Sequence, residues 1–264
     1  MRFYIDNGFL EYDIRGKGIS LLLIHGYPLS RKIWEPQLDG LSEWATVISV
    51  DLRGHGESFP FGGPYTMDLL ADDCNRLLET LPIQTPVVLG GLSMGGYVTM
   101  ALYRKHPELF KGMILISTRP GPDSAEAKIN REASMENARE HGATFIADSM
   151  LLKILSPLTI STNAQLMKSI HVVMASTSVA GIIGALHGMK DRQDSTALLS
   201  KISCPSLIIH GTDDQLIPIT EAELMHQQIP NSRLVKIANA GHLPNLEDPA
   251  LFNQAVRDFL YSLD

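Results

Sequence analysis

Short apolar runs alternate with amphipathic stretches along most of this chain, and that rhythm constrains the fold more than any other feature. Leu21 to Ile24, Thr46 to Val50, Val87 to Leu89, Met113 to Ile116 and Ser206 to Ile209 are too short for buried helices. Runs of this kind fit parallel strands covered on both faces. Between and after them, Ile33 to Leu41, Thr66 to Leu81, Met94 to Lys105, Thr220 to Gln228 and Pro249 to Leu263 read as helices, and Arg233 to Ile237 as one more strand. At the N-terminus, Phe3 to Ile5 and Leu10 to Ile14 are split by Asn7-Gly8, a hairpin signal. Strands alternating with helices predict an α/β domain, with a mostly parallel sheet and helices on both faces.

The rhythm breaks between Pro120 and Lys201, where the pattern is helical throughout. The chain therefore divides into a core of residues 1–119 and 202–264, interrupted by a helical cap or lid insertion at 120–201. Pro157 punctuates the insert, and Gly181, Gly184 and Gly188 are expected to loosen it. Five of the eleven methionines fall there: Met135, Met150, Met167, Met174 and Met189. They read as core filler between short helices, and equally as a pliant apolar wall over a pocket.

Composition narrows the function. Hydrophobic residues make up 44% and charged residues 19% of the 264, enough for a sizeable core. A net charge of −7 argues against nucleic acid and anionic membrane surfaces as partners. Cys74 and Cys204 stand far apart and outside any metal-ligand spacing. No run approaches about 18 apolar residues, and Arg2, Asp6 and Glu11 interrupt the N-terminal segment. The expectation is a cytoplasmic protein with reduced thiols and no metal or organic cofactor, with room for a homo-oligomer.

The chemistry centres on Gly91-Leu92-Ser93-Met94-Gly95, which follows one apolar run and opens a helix. A serine on so sharp a strand-to-helix turn takes strained backbone angles, small neighbours permit the close approach, and the hydroxyl is pushed into the cleft. A phosphate-cradling loop would need a Walker lysine or G-x-G-x-x-G spacing, and neither is present. A nucleophilic serine needs a base, and the base an orienting carboxylate. In the order serine, acid, histidine, His25 and His55 come too early. His242, in Ala240-Gly241-His242, just follows the last strand. His106, His141, His171, His187, His210 and His226 sit at helix ends, inside helical stretches or at a buried strand end. Asp213 and Asp214 both end the preceding strand; one can face the base while the other caps the turn, and spacing does not choose between them.

These residues resemble the α/β-hydrolase fold superfamily over nearly the whole chain. Four motifs carry the resemblance: His25-Gly26-Tyr27-Pro28, Asp51 to Ser58, the Ser93 turn, and Gly211 to Pro218 followed by Gly241-His242. The resemblance implies an eight-stranded sheet. It aligns Gly211, Asp214 and Pro218 with the family's acid motif, which selects Asp214, and assigns Ser93, Asp214 and His242 as catalytic. It implies an oxyanion hole from the backbone N–H groups of Tyr27 and Met94, each worth on the order of 10²–10³ in rate. It leaves His25, Arg53 and His55 structural. Family members with aspartate at the nucleophile position, the haloalkane dehalogenases and epoxide hydrolases, are set aside by Ser93.

Within the family the chain looks like small esterases, 3-oxoadipate enol-lactonases and cofactor-free haloperoxidase-perhydrolases. The implied reaction is hydrolysis of a small-molecule carboxylic ester through an acyl-enzyme, with lactone hydrolysis and perhydrolysis as alternatives. The lactonase reading implies a dicarboxylate substrate and cationic pocket groups, for which Arg119 and Arg192 are candidates. A low-turnover ligand receptor is the reading of another class.

Overall fold

A computed structural model describes residues 1–263; Asp264, the last residue of the second core segment, lies outside the described residues. Its strands are β1 (Arg2–Ile5), β2 (Gly8–Arg15), β3 (Ile19–Ile24), β4 (Ala45–Val50), β5 (Val87–Leu92), β6 (Phe110–Ile116), β7 (Ser206–Gly211) and β8 (Ser232–Ile237). They form one sheet in the order β1-β2-β4-β3-β5-β6-β7-β8. The β1–β2 and β2–β4 pairs are antiparallel and the rest are parallel. The protein thus has the mostly parallel α/β sheet that the alternating pattern predicts, in the eight-stranded form that the resemblance to α/β-hydrolases implies. The hairpin differs in one detail: Ile5 pairs with Gly8, so the turn residues are Asp6 and Asn7, with Asp6 at φ 46°. Aspartate tolerates the left-handed region better than most residues, and Gly8 is left to start β2.

The helices are α1 (Glu35–Leu41), α2 (Met67–Thr80), α3 (Met94–Lys105), α4 (Ala125–Ile154), α5 (Pro157–Thr162), α6 (Ala164–Ala175), α7 (Val179–Lys190), α8 (Ile219–Gln228), α9 (Pro244–Glu247) and α10 (Pro249–Tyr261). Strand alternation sorts the core into two layers. On β3, Leu22 and Ile24 join the side chains of α2, α3 and α8, among them Leu70, Leu77, Val98 and Met225. Leu21 and Leu23 join α1 and α10 through Leu38, Leu41, Phe252 and Val256. Both faces are therefore covered, which is why these strands read as unbroken apolar runs.

Between β6 and β7 lie α4 to α7. Gly142, at φ 79°, kinks α4. The glycines of α7 do not loosen it. They are buried, and a Cβ would fall 2.0 Å from the Gly54 carbonyl oxygen at Gly181 and 1.7 Å from the Tyr65 carbonyl oxygen at Gly188. Their lack of a side chain lets α7 dock directly on backbone. Among the described residues no single helix is long and apolar enough to cross a membrane.

Buried polar groups outside the cleft hold loops. The His25 Nδ1–H donates to the Gly26 carbonyl at 2.8 Å, while Nε2 accepts from Leu52 N–H at 3.0 Å. Burial depresses His25 to a pKa of about 4 and His55 to about 3, so both rings stay neutral. Arg53 pairs with buried Asp73, and Arg31 with buried Asp51. These contacts give the His25 and Asp51 motifs a framework role.

Candidate active site

The carboxyl ends of the parallel strands converge on one cleft, the position where open α/β sheets present their sites. Ser93 follows β5 directly, at φ 54° and ψ −112°. A non-glycine residue there costs about 1–3 kcal/mol and persists only when its surroundings hold it. Here its N–H donates to Ile116 O at 2.9 Å, and its carbonyl accepts from Gly96 N–H at 2.9 Å and Thr118 Oγ1 at 2.8 Å. The two motif glycines make the turn sterically possible. A Cβ on Gly91 would lie 2.1 Å from Gly95 O, and one on Gly95 2.2 Å from Ile24 O.

His242 sits in the loop after β8. Its Nδ1 lies 2.7 Å from Asp214 Oδ2, and both side chains are almost fully buried. The bond places the proton on Nδ1 and leaves the Nε2 lone pair to act as a base. The second oxygen of Asp214, Oδ1, accepts from Leu216 N–H at 2.8 Å and Ile217 N–H at 3.0 Å. Burial acts to raise the Asp214 carboxyl, but the charge and hydrogen bond of His242 and the Ile217 N–H outweigh it. Its pKa falls below the ordinary carboxylate value, so the group is ionised at neutral pH.

The division of labour expected between the two aspartates is not found. Asp214 both faces the imidazole and caps the turn, whereas Asp213 accepts from the Thr212 hydroxyl. His210 adds a further contact: its Nε2–H donates to Ile217 O at 2.9 Å and lies 3.4 Å from Asp214 Oδ2. Burial lowers its pKa, so it serves as a neutral prop.

Ser93 and His242 line one cavity of about 290 Å³. Its apolar wall includes Met150, Leu186, Met189, Leu216 and Ile217, so two of the insert's methionines reach it. Met135 and Met174 are buried in the core instead. Tyr27 and Met94 flank the serine from the end of β3 and the first turn of α3. Among the described residues neither backbone N–H has a hydrogen-bond partner. Both are thus free donors, and Met94 also carries the positive end of the helix dipole. Arg119 lines the cavity, but Arg192 does not. The guanidinium carbon of Arg192 stacks 4.2 Å over the Tyr97 ring.

Two further groups belong to the site and lie outside the sequence motifs. Arg131 lines the cavity with Ala127, Asn130 and Ser134, a stripe at i, i+3, i+4 and i+7 of α4 that helical spacing could have revealed. Glu247 has no such signal. Its Oε1 accepts from Gly241 N–H at 2.9 Å and Leu243 N–H at 3.3 Å, on either side of His242. Its Oε2 accepts from Ser156 N–H at 2.8 Å and Thr159 Oγ1 at 2.7 Å in the insert. One carboxylate thereby ties the histidine loop to the start of α5. Glu247→Gln, which replaces one acceptor oxygen by a donor, is expected to destabilise the protein by about 3 kcal/mol. Urea unfolding checks this, and an unchanged midpoint would refute the tie.

Comparison with known proteins places these features in context. Residues 21–255 match the Alpha/beta hydrolase family. A thermophilic esterase from Thermogutta terrifontis, solved with malate bound, superposes with a TM-score of 0.95 at 40% identity, covering 97% of this chain and 94% of that one. A 3-oxoadipate enol-lactonase from Acinetobacter baylyi is 29% identical, over 94% of this chain and 91% of its own length. A pimeloyl-[acyl-carrier protein] methyl ester esterase from Yersinia enterocolitica is 28% identical over 95% and 96%.

Proposed function

This chain belongs to the alpha/beta hydrolase family, and from that premise we propose that it is a carboxylic ester hydrolase acting through Ser93, His242 and Asp214. The observation that carries the reading is the buried His242–Asp214 pair, 2.7 Å apart, opening onto the cavity lined by the strained Ser93. His242 Nε2 takes the Ser93 proton as Oγ attacks the ester carbonyl. Asp214 holds the imidazole and stabilises its cation. The N–H groups of Tyr27 and Met94 receive the oxyanion, a contribution of about 10²–10³ in rate for each donor. Collapse of the tetrahedral intermediate expels the alcohol, protonated by His242, and leaves an acyl-Ser93. Water, deprotonated by His242, then releases the acid.

The same steps open a lactone, with the alcohol remaining attached to the acyl group. The esterase and enol-lactonase relatives support ester or lactone as the bond class. We take residues 120–201 as a cap over the cavity, supplying Arg131, Met150 and Met189 to its wall. A cytoplasmic location belongs to the same proposal.

A fluorophosphonate and a short aryl ester test the reading together. Mass spectrometry is expected to find the phosphonyl group on Ser93, and the ester to be turned over many times. Label on another residue, or a stall after one acylation, would reject the proposal; the stall would favour a ligand receptor.

A further inference from the structure

We propose that Arg119 and Arg131 form an anion subsite in the Ser93 cavity, so that the natural ester or lactone carries a free carboxylate. The choice of reacting bond rests on the Ser93 reading; the subsite itself rests on the arginines.

The starting point is Asp123, whose side chain is fully buried. Arg119 Nη2 donates to its Oδ1 at 2.9 Å, and Arg192 Nη1 at 2.6 Å. Arg131 Nε donates to Oδ2 and its Nη2 to Oδ1 at 3.4 Å. Three guanidinium groups therefore share one carboxylate. Among the described residues no other carboxylate bonds to any of the three. The cluster carries a surplus of two positive charges.

The surplus is not spread evenly. Arg192 lies outside the cavity lining and has more partners: it also donates to Met189 O at 3.0 Å and Gly121 O at 2.6 Å and stacks on Tyr97, and only its Nε–H is buried without a partner. Arg119 and Arg131 face the cavity, whose lining contains no aspartate or glutamate. The Arg119 Nε–H is buried without a partner, as is the Tyr27 hydroxyl on the same wall. Polar groups taken from water and left unpaired cost stability, and charged ones cost most. A carboxylate on the ligand offsets that cost by accepting from both guanidinium groups.

Asp123 also explains how the site can be selective. It holds two arginines from different segments, one following β6 and one on α4, in fixed orientation before a ligand arrives. Arginine's planar fork suits a carboxylate, and less ordering remains for binding to impose. The chain as a whole carries −7, so the attraction is local to the cavity and not a property of the surface. A neutral ester of the same size would fill the apolar wall but leave the surplus positive charge unmatched and the Arg119 Nε–H without an acceptor.

Matched esters test this. One pair places the carboxylate on the acyl side: mono-para-nitrophenyl glutarate against its neutral methyl diester. The other places it on the alcohol side: the butyrate ester of meta-hydroxybenzoate against that of methyl meta-hydroxybenzoate. Wild type is expected to favour the charged member of at least one pair by about tenfold or more in kcat/KM. The pair that responds identifies the side of the substrate that carries the anion. Arg119→Gln and Arg131→Gln are each expected to lower that ratio by about tenfold. The neutral member is the internal reference, because partial misfolding lowers both rates and leaves the ratio.

If a variant does not fold, salt on the wild type decides: raising it from about 0.05 M to about 0.5 M lowers the ratio for a charge-based subsite. Titration of Ser93→Ala with glutarate reads binding apart from turnover, and is expected to show saturable binding weakened by Arg131→Gln. Ratios at or below one in both pairs, or a ratio indifferent to both substitutions and to salt, would overturn the subsite. Failure to hydrolyse any of the four esters would reject the hydrolase reading, while glutarate binding would still decide the subsite.

Discussion

Ser93→Ala is expected to lower kcat/KM for a short aryl ester by about 10⁴-fold or more. The substitution removes the proposed attacking atom and little else. The cavity, the Tyr27 and Met94 N–H groups and the His242–Asp214 pair all remain, so the residual rate measures what binding and oxyanion stabilisation give without the nucleophile. Alanine keeps a Cβ at φ 54°, so the strained turn has no new clash. The bonds that hold it, from Ser93 N–H to Ile116 O and from Thr118 Oγ1 to Ser93 O, involve backbone atoms of residue 93 and survive. Thermal unfolding is therefore expected to match wild type. Near wild-type turnover in a folded variant would remove Ser93 from the chemistry.

Asp214→Asn is expected to cost nearly as much, on the order of 10⁴ in kcat. The asparagine carbonyl can still accept from Leu216 N–H and Ile217 N–H, so the turn that Asp214 Oδ1 caps is preserved. What changes faces His242. An amide N–H₂ at the position of Oδ2 donates where the carboxylate accepted, so the imidazole must place its proton on Nε2. In that tautomer it cannot take a proton from serine, and no anion offsets the imidazolium in the transition state. Asp213→Asn is the paired control: Asp213 bonds to Thr212, and its loss is expected to change kcat by less than about twofold. Equal effects from the two substitutions would reject Asp214 as the acid.

Much of this protein is legible in its amino-acid order. The central strands can be read because each is buried on both faces, which forces an unbroken apolar run. The Ser93 turn is legible because its sterics admit only glycine at positions 91 and 95, so the geometry leaves a mark in adjacent residues. Chain order brings His242 forward, and the family resemblance, not spacing, chooses Asp214 over Asp213. The departures are local. Asp6-Asn7 makes the first turn in place of Asn7-Gly8, and the α7 glycines tighten a contact that glycine's poor helix propensity would loosen.

The tertiary structure decided what depends on distant residues meeting. Glu247 looks like any surface glutamate until four donors, two from the preceding loop and two from Ser156 and Thr159 far back in the chain, are seen to point at it. Arg119, Arg131 and Arg192 are scattered over more than seventy positions, and only folding shows that they share Asp123 and that two of them face the cavity while the third does not. Sequence by itself determined the alternating sheet and singled out Ser93 as the candidate nucleophile, because those follow from periodicity and close-range sterics. The charge lining the cleft is a sum over contacts between segments far apart in the chain, and no local pattern encodes such a sum.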